Sequence, residues 1–210
     1  SNFGNAFMLR TDSDKKLEEF KKYLSIPIIN GLSPSSHPTQ ILSDVFTVEE
    51  IKKKPISKLN ISWIGDSNNV LNSLITASIK FSFKLNIGCP KKYSPDKKII
   101  NWAKKNKAEI SIYNNPKDAI KNADCVMTDK WISMNDKVNK KLKKKALSGY
   151  QVNRKLMKIA KSDAIFMHCL PVGRGEEVTD EVIDGKQSVV WRQALNRVHA
   201  QKSIINWCLN

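Results

Sequence analysis

The sequence predicts an α/β protein in which a parallel sheet is covered by helices on both faces. Short apolar runs alternate with amphipathic stretches along most of the chain, and strands that alternate with helices form parallel sheets. The chain has 210 residues, of which 40% are hydrophobic, so it is large enough to bury a sizeable core. We therefore expect a globular, Rossmann-like protein.

The elements follow one another in the order that such a sheet requires. Apolar runs of three to five residues predict strands at 6–9, 27–29, 60–64, 84–87, 109–113, 125–128, 164–167 and 188–190. Apolar residues spaced three and four apart predict helices at 70–81, 97–106, 116–122 and 150–160.

The strands divide unevenly between two parts of the chain. Residues 1–55 contain two predicted strands, too few to close a sheet and bury both its faces. We therefore predict that 1–55 is the C-terminal part of a second α/β domain. Residues 56–190 form a complete domain, and 191–210 form a C-terminal helix that returns to the first part.

Composition argues against several classes of protein. The formal net charge is +16, but the positive charge is mostly lysine in scattered runs without interleaved aromatics, which is typical of solvated helix faces rather than a nucleic-acid site. The four cysteines show no disulfide or zinc-ligand spacing, which fits a reducing cytoplasm. No run of apolar residues is long enough to cross a bilayer. We expect a cytoplasmic protein that binds neither nucleic acid nor membrane.

Residues directly after three predicted strands could form a ligand site, because ligands of parallel sheets bind beyond the carboxyl ends of the strands. These residues are Gly65–Asn69, 129–134 and 168–171. A turn of small polar residues, a carboxylate and a thiol could together bind an amino acid. Each also has an ordinary structural explanation, as a helix cap for the turn and for Asp129, and as a core residue for Cys169.

Five blocks taken together resemble ornithine carbamoyltransferases. His168-Cys169-Leu170-Pro171 is followed at short range by residues 174–182, as in the signature of that family. The remaining blocks occur in the family's order, at 37–44, 65–69, 129–134 and 196–197. Aspartate carbamoyltransferases have proline in place of the cysteine, so the resemblance favours the ornithine enzymes.

The resemblance implies a site for carbamoyl phosphate. Arg10 would neutralise the phosphate and carbonyl oxygens, His37 would donate to the carbonyl oxygen, and Gln40 would accept from the carbamoyl amide. Fixed donors at that oxygen would lower the barrier, because attack on the carbonyl carbon places negative charge there. The complete set is Arg10, His37, Gln40, Cys169, Leu170 and Arg197.

The resemblance also implies a site for L-ornithine. Asn69, Asp129, Ser133 and Met134 would bind the amino-acid end of the ligand. Asp129 and Cys169 would face its side-chain amine, which must lose a proton before it attacks. A thiolate beside an ammonium is a reasonable proton acceptor. The expected catalytic residues are therefore Cys169, Asp129, His37 and Arg197.

The implied activity is carbamoyl transfer from carbamoyl phosphate to L-ornithine, giving L-citrulline and phosphate. It belongs to arginine biosynthesis and the urea cycle, needs no metal or cofactor, and is carried out by homotrimers. Two alternatives come from other classes. One is a catalytically incomplete fragment or remnant that retains an amino-acid pocket, and the other is a basic nucleic-acid-binding module, for which strongly salt-dependent DNA binding would be required.

Some positions depart from the family pattern. Asn135 stands in place of the usual glycine, Leu195 in place of an acid, and Arg192-Gln193 in place of an acidic pair, so Arg197 is expected to lose an orienting partner. The family's Ser-x-Arg-Thr phosphate loop does not occur in these 210 residues. We therefore expect an N-terminally truncated chain that by itself binds carbamoyl phosphate poorly.

Overall fold

The computed structural model describes residues 3–132 and 138–210. The described part contains seven strands: β1 (Phe7–Arg10), β2 (Ile28–Leu32), β3 (Asn60–Ile64), β4 (Lys84–Gly88), β5 (Ile110–Tyr113), β6 (Cys125–Thr128) and β7 (Ile165–His168). Its α-helices are α1 (Asp14–Tyr23), α2 (Pro38–Lys52), α3 (Asn69–Lys80), α4 (Lys97–Lys105), α5 (Pro116–Ile120), α6 (Lys140–Leu147), α7 (Arg154–Met157), α8 (Asp180–Ile183) and α9 (Val190–Leu209). Strands and helices alternate, as predicted.

Five strands form one parallel sheet in the order β5-β4-β3-β6-β7. The remaining two, β1 and β2, pair in parallel as a separate sheet. Going along the chain, β3 is followed by β4 on one side, whereas β6 lies on its other side. The direction of winding therefore reverses between β3 and β6, and ligands of such sheets bind in the crevice at that point.

Helices cover both faces of the five-stranded sheet. Ile61 and Trp63 of β3 point into a core cluster shared with α2, α3 and α4, while Ile64 points into a second cluster shared with α5, α7 and α8. Ser62, on the same face as Ile64, donates a hydrogen bond to the carbonyl of Ala119 at 3.0 Å. Because both faces are buried, the strands are almost continuously apolar, which explains why the short runs were recognisable in the sequence.

Asparagine and aspartate begin several helices. The side chains of Asn68, Asp96, Asn115, Asn139 and Asn153 each accept at least one backbone N–H from the first turn of the following helix. These bonds satisfy donors that have no partner within the helix. These four asparagines and one aspartate therefore have a local structural role as helix caps.

Two predicted elements differ from the structure. No strand forms at 188–190: Ser188 makes a single bridge to Phe166, and helix α9 begins at Val190. The predicted helix 150–160 is reduced to α7, because residues before it adopt a 3-10 turn and then an extended segment in which Val152 bridges to Val178. In both places, tertiary pairing overrides the local apolar pattern.

Helix α9 packs along α2 and thereby contacts the part of the chain that was predicted as a separate domain. Asn196 donates to Thr47 at 3.0 Å and to Glu50 at 2.8 Å, and Arg192 donates to Glu50 through two nitrogens. Within the described residues, no helix is long and apolar enough to span a membrane.

Candidate active site

The carboxyl ends of β3, β6 and β7 meet at one edge of the sheet. Each strand continues directly into residues singled out above: Ile64 into Gly65, Thr128 into Asp129, and His168 into Cys169. Because these three strands are parallel neighbours, their next residues lie side by side. The crevice between β3 and β6 therefore receives groups from three separate turns.

Gly65 and Asn68 shape the turn after β3. Gly65 has φ 126, a conformation that favours glycine, and a Cβ there would stand 3.3 Å from the Thr128 hydroxyl oxygen. Asn68 uses its oxygen to cap α3, while its nitrogen donates to Asp129 Oδ2 at 2.6 Å. Asp66 in the same turn forms a buried ion pair with Lys143 of α6 at 2.7 Å. The turn is thus fixed on two sides.

Cys169 and Asp129 are in direct contact. The thiol Sγ donates to Asp129 Oδ1 at 3.1 Å, so the predicted contact between these residues is confirmed. Burial, followed by the negative charge of Asp129, raises the pKa of the Cys169 thiol well above its usual value. The expectation of a thiolate is therefore wrong for this arrangement, in which the Cys169 thiol keeps its proton and donates it in the hydrogen bond to Asp129.

The buried side chains of His168 and Glu177 support the loop that carries Cys169. His168 Nδ1 accepts from the Leu170 backbone N–H at 2.9 Å, so Nε2 carries the ring hydrogen and donates to Glu177 Oε1 at 3.2 Å. Glu177 also accepts the backbone N–H of Gly173. Burial alone would raise the pKa of Glu177, but the hydrogen bonds from His168 and Gly173 outweigh it and lower the pKa. The loop backbone is consequently held by side chains that are themselves fixed.

Helices α2 and α9 supply the opposite side of the site. Gln40 is fully buried; its Oε1 accepts from Arg197 at 2.8 Å, and its Nε2 donates to Asp44 at 2.8 Å. Gln193 donates to the same carboxylate oxygen at 2.7 Å. Burial raises the pKa of Asp44 to about 7, although both glutamines favour its charged form. The expected loss of an orienting partner for Arg197 is offset, because Gln40 holds its guanidinium.

His37 lies at the N-terminus of α2, with Pro38 as the first helical residue. Its ring makes no capping bond, and Nδ1 is buried without a partner among the described residues. Burial, together with the positive charges of Arg197 and Arg10, lowers the pKa of His37 to about 4. His37 is therefore a neutral ring within the electrostatic field of two arginines, with one nitrogen available to a ligand.

A cavity of about 270 Å³ lies between these two sides. Its lining includes Gln40 and Arg197 from the helices and Cys169 and Leu170 from the loop after β7; the full set is Gln40, His168, Cys169, Leu170, Gln193, Ala194 and Arg197. The lining therefore combines a guanidinium and amide groups with a thiol. Such a set suits a small anionic or polar ligand whose oxygen atoms need donors.

Among the described residues, the other predicted site residues do not line this cavity. Arg10 is exposed at the end of β1. Asn69 donates to the Ser33 carbonyl at 2.8 Å, so in this structure its amide links the turn before α2 to α3. Ser133 and Met134, like Asn135, lie outside the described residues. Sequence reasoning did not single out Asn68, Asp44 or Gln193 as site residues.

Asp129, His168 and Cys169 also have the atom types and proximity of a metal site, since one ligand atom from each lies within 4.8 Å of the others. However, His168 uses both ring nitrogens, one toward Leu170 and one toward Glu177. A metal ion would have to displace one of these bonds. The donor set as it stands therefore does not fit a bound metal.

Comparison with known proteins identifies the family. Residues 57–208 match the model of the aspartate/ornithine carbamoyltransferase Asp/Orn binding domain, and residues 1–50 match that of the carbamoyl-P binding domain. The chain belongs to the aspartate/ornithine carbamoyltransferase family. The resemblance inferred from the five sequence blocks is thereby confirmed.

Among curated family members, the chain is 50% identical over 209 residues to an ornithine carbamoyltransferase of Rhodopseudomonas palustris, covering 100% of this chain and 67% of that protein. An ornithine carbamoyltransferase of Rhizobium meliloti is 47% identical, with 100% and 68% covered. The chain thus spans about two-thirds of the length of these relatives.

Solved carbamoyltransferase structures have the same fold. An anabolic ornithine carbamoyltransferase from Campylobacter jejuni superposes with a TM-score of 0.93 at 35% identity, covering 99% of this chain and 70% of that one. An ornithine carbamoyltransferase from Pyrococcus furiosus gives a TM-score of 0.90 at 41% identity, with 97% and 66% covered. The predicted α/β fold with a parallel sheet is confirmed.

Proposed function

We propose that the protein carrying this chain transfers the carbamoyl group of carbamoyl phosphate to L-ornithine, giving L-citrulline and phosphate. The observation that carries the proposal is the Cys169–Asp129 contact at 3.1 Å, which lies across one cavity from the Gln40–Arg197 contact at 2.8 Å. One side suits an amine that must lose a proton. The other suits a carbonyl and a phosphate that need donors.

The carbamoyl-phosphate side is proposed to consist of Arg10, His37, Gln40 and Arg197, with Leu170 at the edge toward Cys169. His37 is uncharged, so it donates one ring N–H to the carbonyl oxygen without adding a third positive charge beside the two arginines. Arg197, held by Gln40, neutralises negative charge that develops on that oxygen and on the leaving phosphate. Fixed donors of this kind typically lower a barrier by about 3 kcal/mol each.

The ornithine side is proposed to consist of Asp129 and Cys169, with Asn69, Ser133 and Met134 toward the amino-acid end of the ligand. Asp129 accepts from both Cys169 and Asn68, so its two oxygens are aimed before the substrate arrives. A side-chain ammonium replaces the thiol as donor to this carboxylate and gives up its proton there. Asn68 keeps the carboxylate oriented through its hydrogen bond to Oδ2, and the displaced thiol shields the amine from water.

In the transfer itself, the ornithine amine nitrogen forms a bond to the carbonyl carbon, and the bond from that carbon to the phosphate oxygen breaks. Phosphate leaves with the bonding electron pair, and the second amine proton leaves with it. No covalent enzyme intermediate is required. The residues of this chain contribute by binding, orienting and accepting a proton.

We further propose the domain division 1–55, 56–190 and 191–210, with α9 returning to the carbamoyl-phosphate part along α2. A homotrimeric assembly, a cytoplasmic location and a role in arginine biosynthesis or the urea cycle belong to the same proposal. They are supported by membership of the family.

The test is an assay of citrulline from carbamoyl phosphate and ornithine, with aspartate as the competing acceptor. For the full-length protein that carries this chain, which is the wild type here, we expect citrulline and little product from aspartate. Arg197→Met should lower kcat by about 100- to 1000-fold, because it removes a fixed donor. Cys169→Ser should lower kcat/KM for ornithine, whereas Cys208→Ser, at a partly exposed thiol near the end of α9, should leave it unchanged. Carbamoylation of aspartate in preference to ornithine would overturn the substrate assignment.

A further inference from the structure

A continuous line of buried hydrogen bonds joins the two sides of the cavity through Asp44. Asp44 Oδ1 accepts from Gln40 at 2.8 Å and from Gln193 at 2.7 Å. Each glutamine makes a second bond at its oxygen. Gln40 Oε1 accepts from Arg197 at 2.8 Å, and Gln193 Oε1 accepts from the backbone N–H of His168 at 3.0 Å.

The carboxylate decides which way both amides point. Oδ1 accepts hydrogen bonds whether the carboxyl is ionised or carries its proton on Oδ2, so the NH₂ group of each glutamine must face Asp44 and the oxygen must face away. A reversed Gln40 amide would present its NH₂ group to Arg197, where two donors would oppose each other. A reversed Gln193 amide would likewise face the His168 N–H with a donor.

Asp44 itself does not line the cavity, and its side chain lies between α2 and α9 with 1% of its surface exposed. Its second oxygen, Oδ2, is buried without a partner among the described residues. A carboxyl with an unpaired buried oxygen costs stability compared with a well-packed apolar residue. Stability alone therefore does not explain a carboxyl at this position.

We propose that Asp44 is a positioning residue that orients the side-chain amides of Gln40 and Gln193. Through Gln40 it aligns Arg197 on one side of the cavity. Through Gln193 it aligns the backbone that leads into Cys169 on the other side. The proposal rests on the proposed function, since it assigns the two sides to carbamoyl phosphate and ornithine. Gln193 is the second positioning residue, and it acts on the Cys169 side alone.

Three variants separate these effects. Asp44→Leu removes the common acceptor and leaves both amides free to turn. Gln193→Leu breaks only the link to the His168 backbone. Asp44→Asn retains a carbonyl oxygen that can accept from both glutamines, so it is the conservative variant. Asp118→Asn, at an exposed carboxylate of α5, is the matched control.

The KM values for the two substrates give the first readout. Asp44→Leu should raise both by about tenfold, since each side loses one aligned hydrogen bond. Gln193→Leu should raise the KM for ornithine alone, and Asp44→Asn should stay within about threefold of the wild type. A merely structural role would lower the yield of folded protein and leave both KM values unchanged. Unchanged values in folded Asp44→Leu would overturn the proposal.

The rate at which iodoacetamide alkylates Cys169, followed by peptide mass spectrometry, gives a readout that does not need activity. Asp44→Leu and Gln193→Leu should both alkylate faster at Cys169, with Cys208 as the internal reference. If the wild type makes no citrulline, the proposed function fails while this comparison still decides the positioning role. Equal rates of Cys169 alkylation in the wild type and all variants would overturn the positioning role of Asp44. If Asp44→Leu does not fold, Gln193→Leu decides the question. Unchanged values of its KM for ornithine and of its Cys169 alkylation rate would then overturn the proposal.

Discussion

Replacing Asp44 by asparagine should make the protein more stable at neutral and alkaline pH. The folded-state pKa of Asp44, about 7, lies above the ordinary value of 3.8, so the folded protein holds this proton more tightly than the unfolded chain does. Stability therefore falls as the pH rises from about 4 to about 7, because the unfolded chain releases the proton first. Asparagine does not titrate and avoids this loss.

The magnitude follows from the two pKa values. At about 1.4 kcal/mol per pH unit, the interval between 3.8 and about 7 corresponds to about 4 kcal/mol in the free energy of unfolding. The advantage of Asp44→Asn should be near zero at pH 4, where both side chains are neutral. It should then increase up to about pH 7 and remain constant above it.

Urea unfolding followed by tryptophan fluorescence, at several pH values between 4 and 8, measures this difference. Other titrating groups, including His37 and Glu177, are present in both proteins and cancel in the comparison. Asp118→Asn, which removes an exposed carboxylate, should show no such pH dependence. A stability difference between Asp44→Asn and the wild type that is the same at pH 5 and pH 8 would show that the pKa of Asp44 is not raised in the folded protein.

Two further predictions concern stability. Gly173→Ala should destabilise the protein by about 1 to 3 kcal/mol, because a Cβ there would stand 2.7 Å from Glu177 Oε2. Gly149→Ala, whose Cβ would have nothing within 4 Å, should change the unfolding free energy by less than about 0.5 kcal/mol in the same urea titration. Lys143→Met breaks the 2.7 Å buried ion pair between α6 and the turn after β3, and should cost about 3 to 5 kcal/mol. Exposed Lys141→Met serves as the control, and an equal effect of the two lysine substitutions on the melting temperature would contradict the prediction.

The sequence allowed the sheet to be predicted because its strands are buried on both faces. The bounds of β3 and β6 were predicted to the residue, since apolar runs ended at clear polar turns. The contact between Cys169 and Asp129 was predictable for a related reason. Residues that follow neighbouring parallel strands must lie at the same edge.

The remainder of the site depended on tertiary packing that local patterns do not reveal. Asp44 and Gln193 are separated by 149 positions in the sequence, and only the packing of α9 on α2 brings them together. The sequence around Asn68 indicates an ordinary helix cap, and its side-chain oxygen does cap α3. Its side-chain nitrogen, however, also donates to Asp129. The protonation of Cys169 was also misjudged, because it depends on burial and on the charge of Asp129 at 3.1 Å.

The packing of α2 against α9 restricts how this sequence can diverge. Here Arg192 bonds to Glu50, and Gln193 donates to Asp44. An acid at position 193 would bring a second carboxyl against Asp44 in a buried place, where two like charges cannot both be ionised. A residue that replaces Gln193 in this chain therefore has either to supply a hydrogen-bond donor to Asp44 or to leave one of the two facing groups protonated.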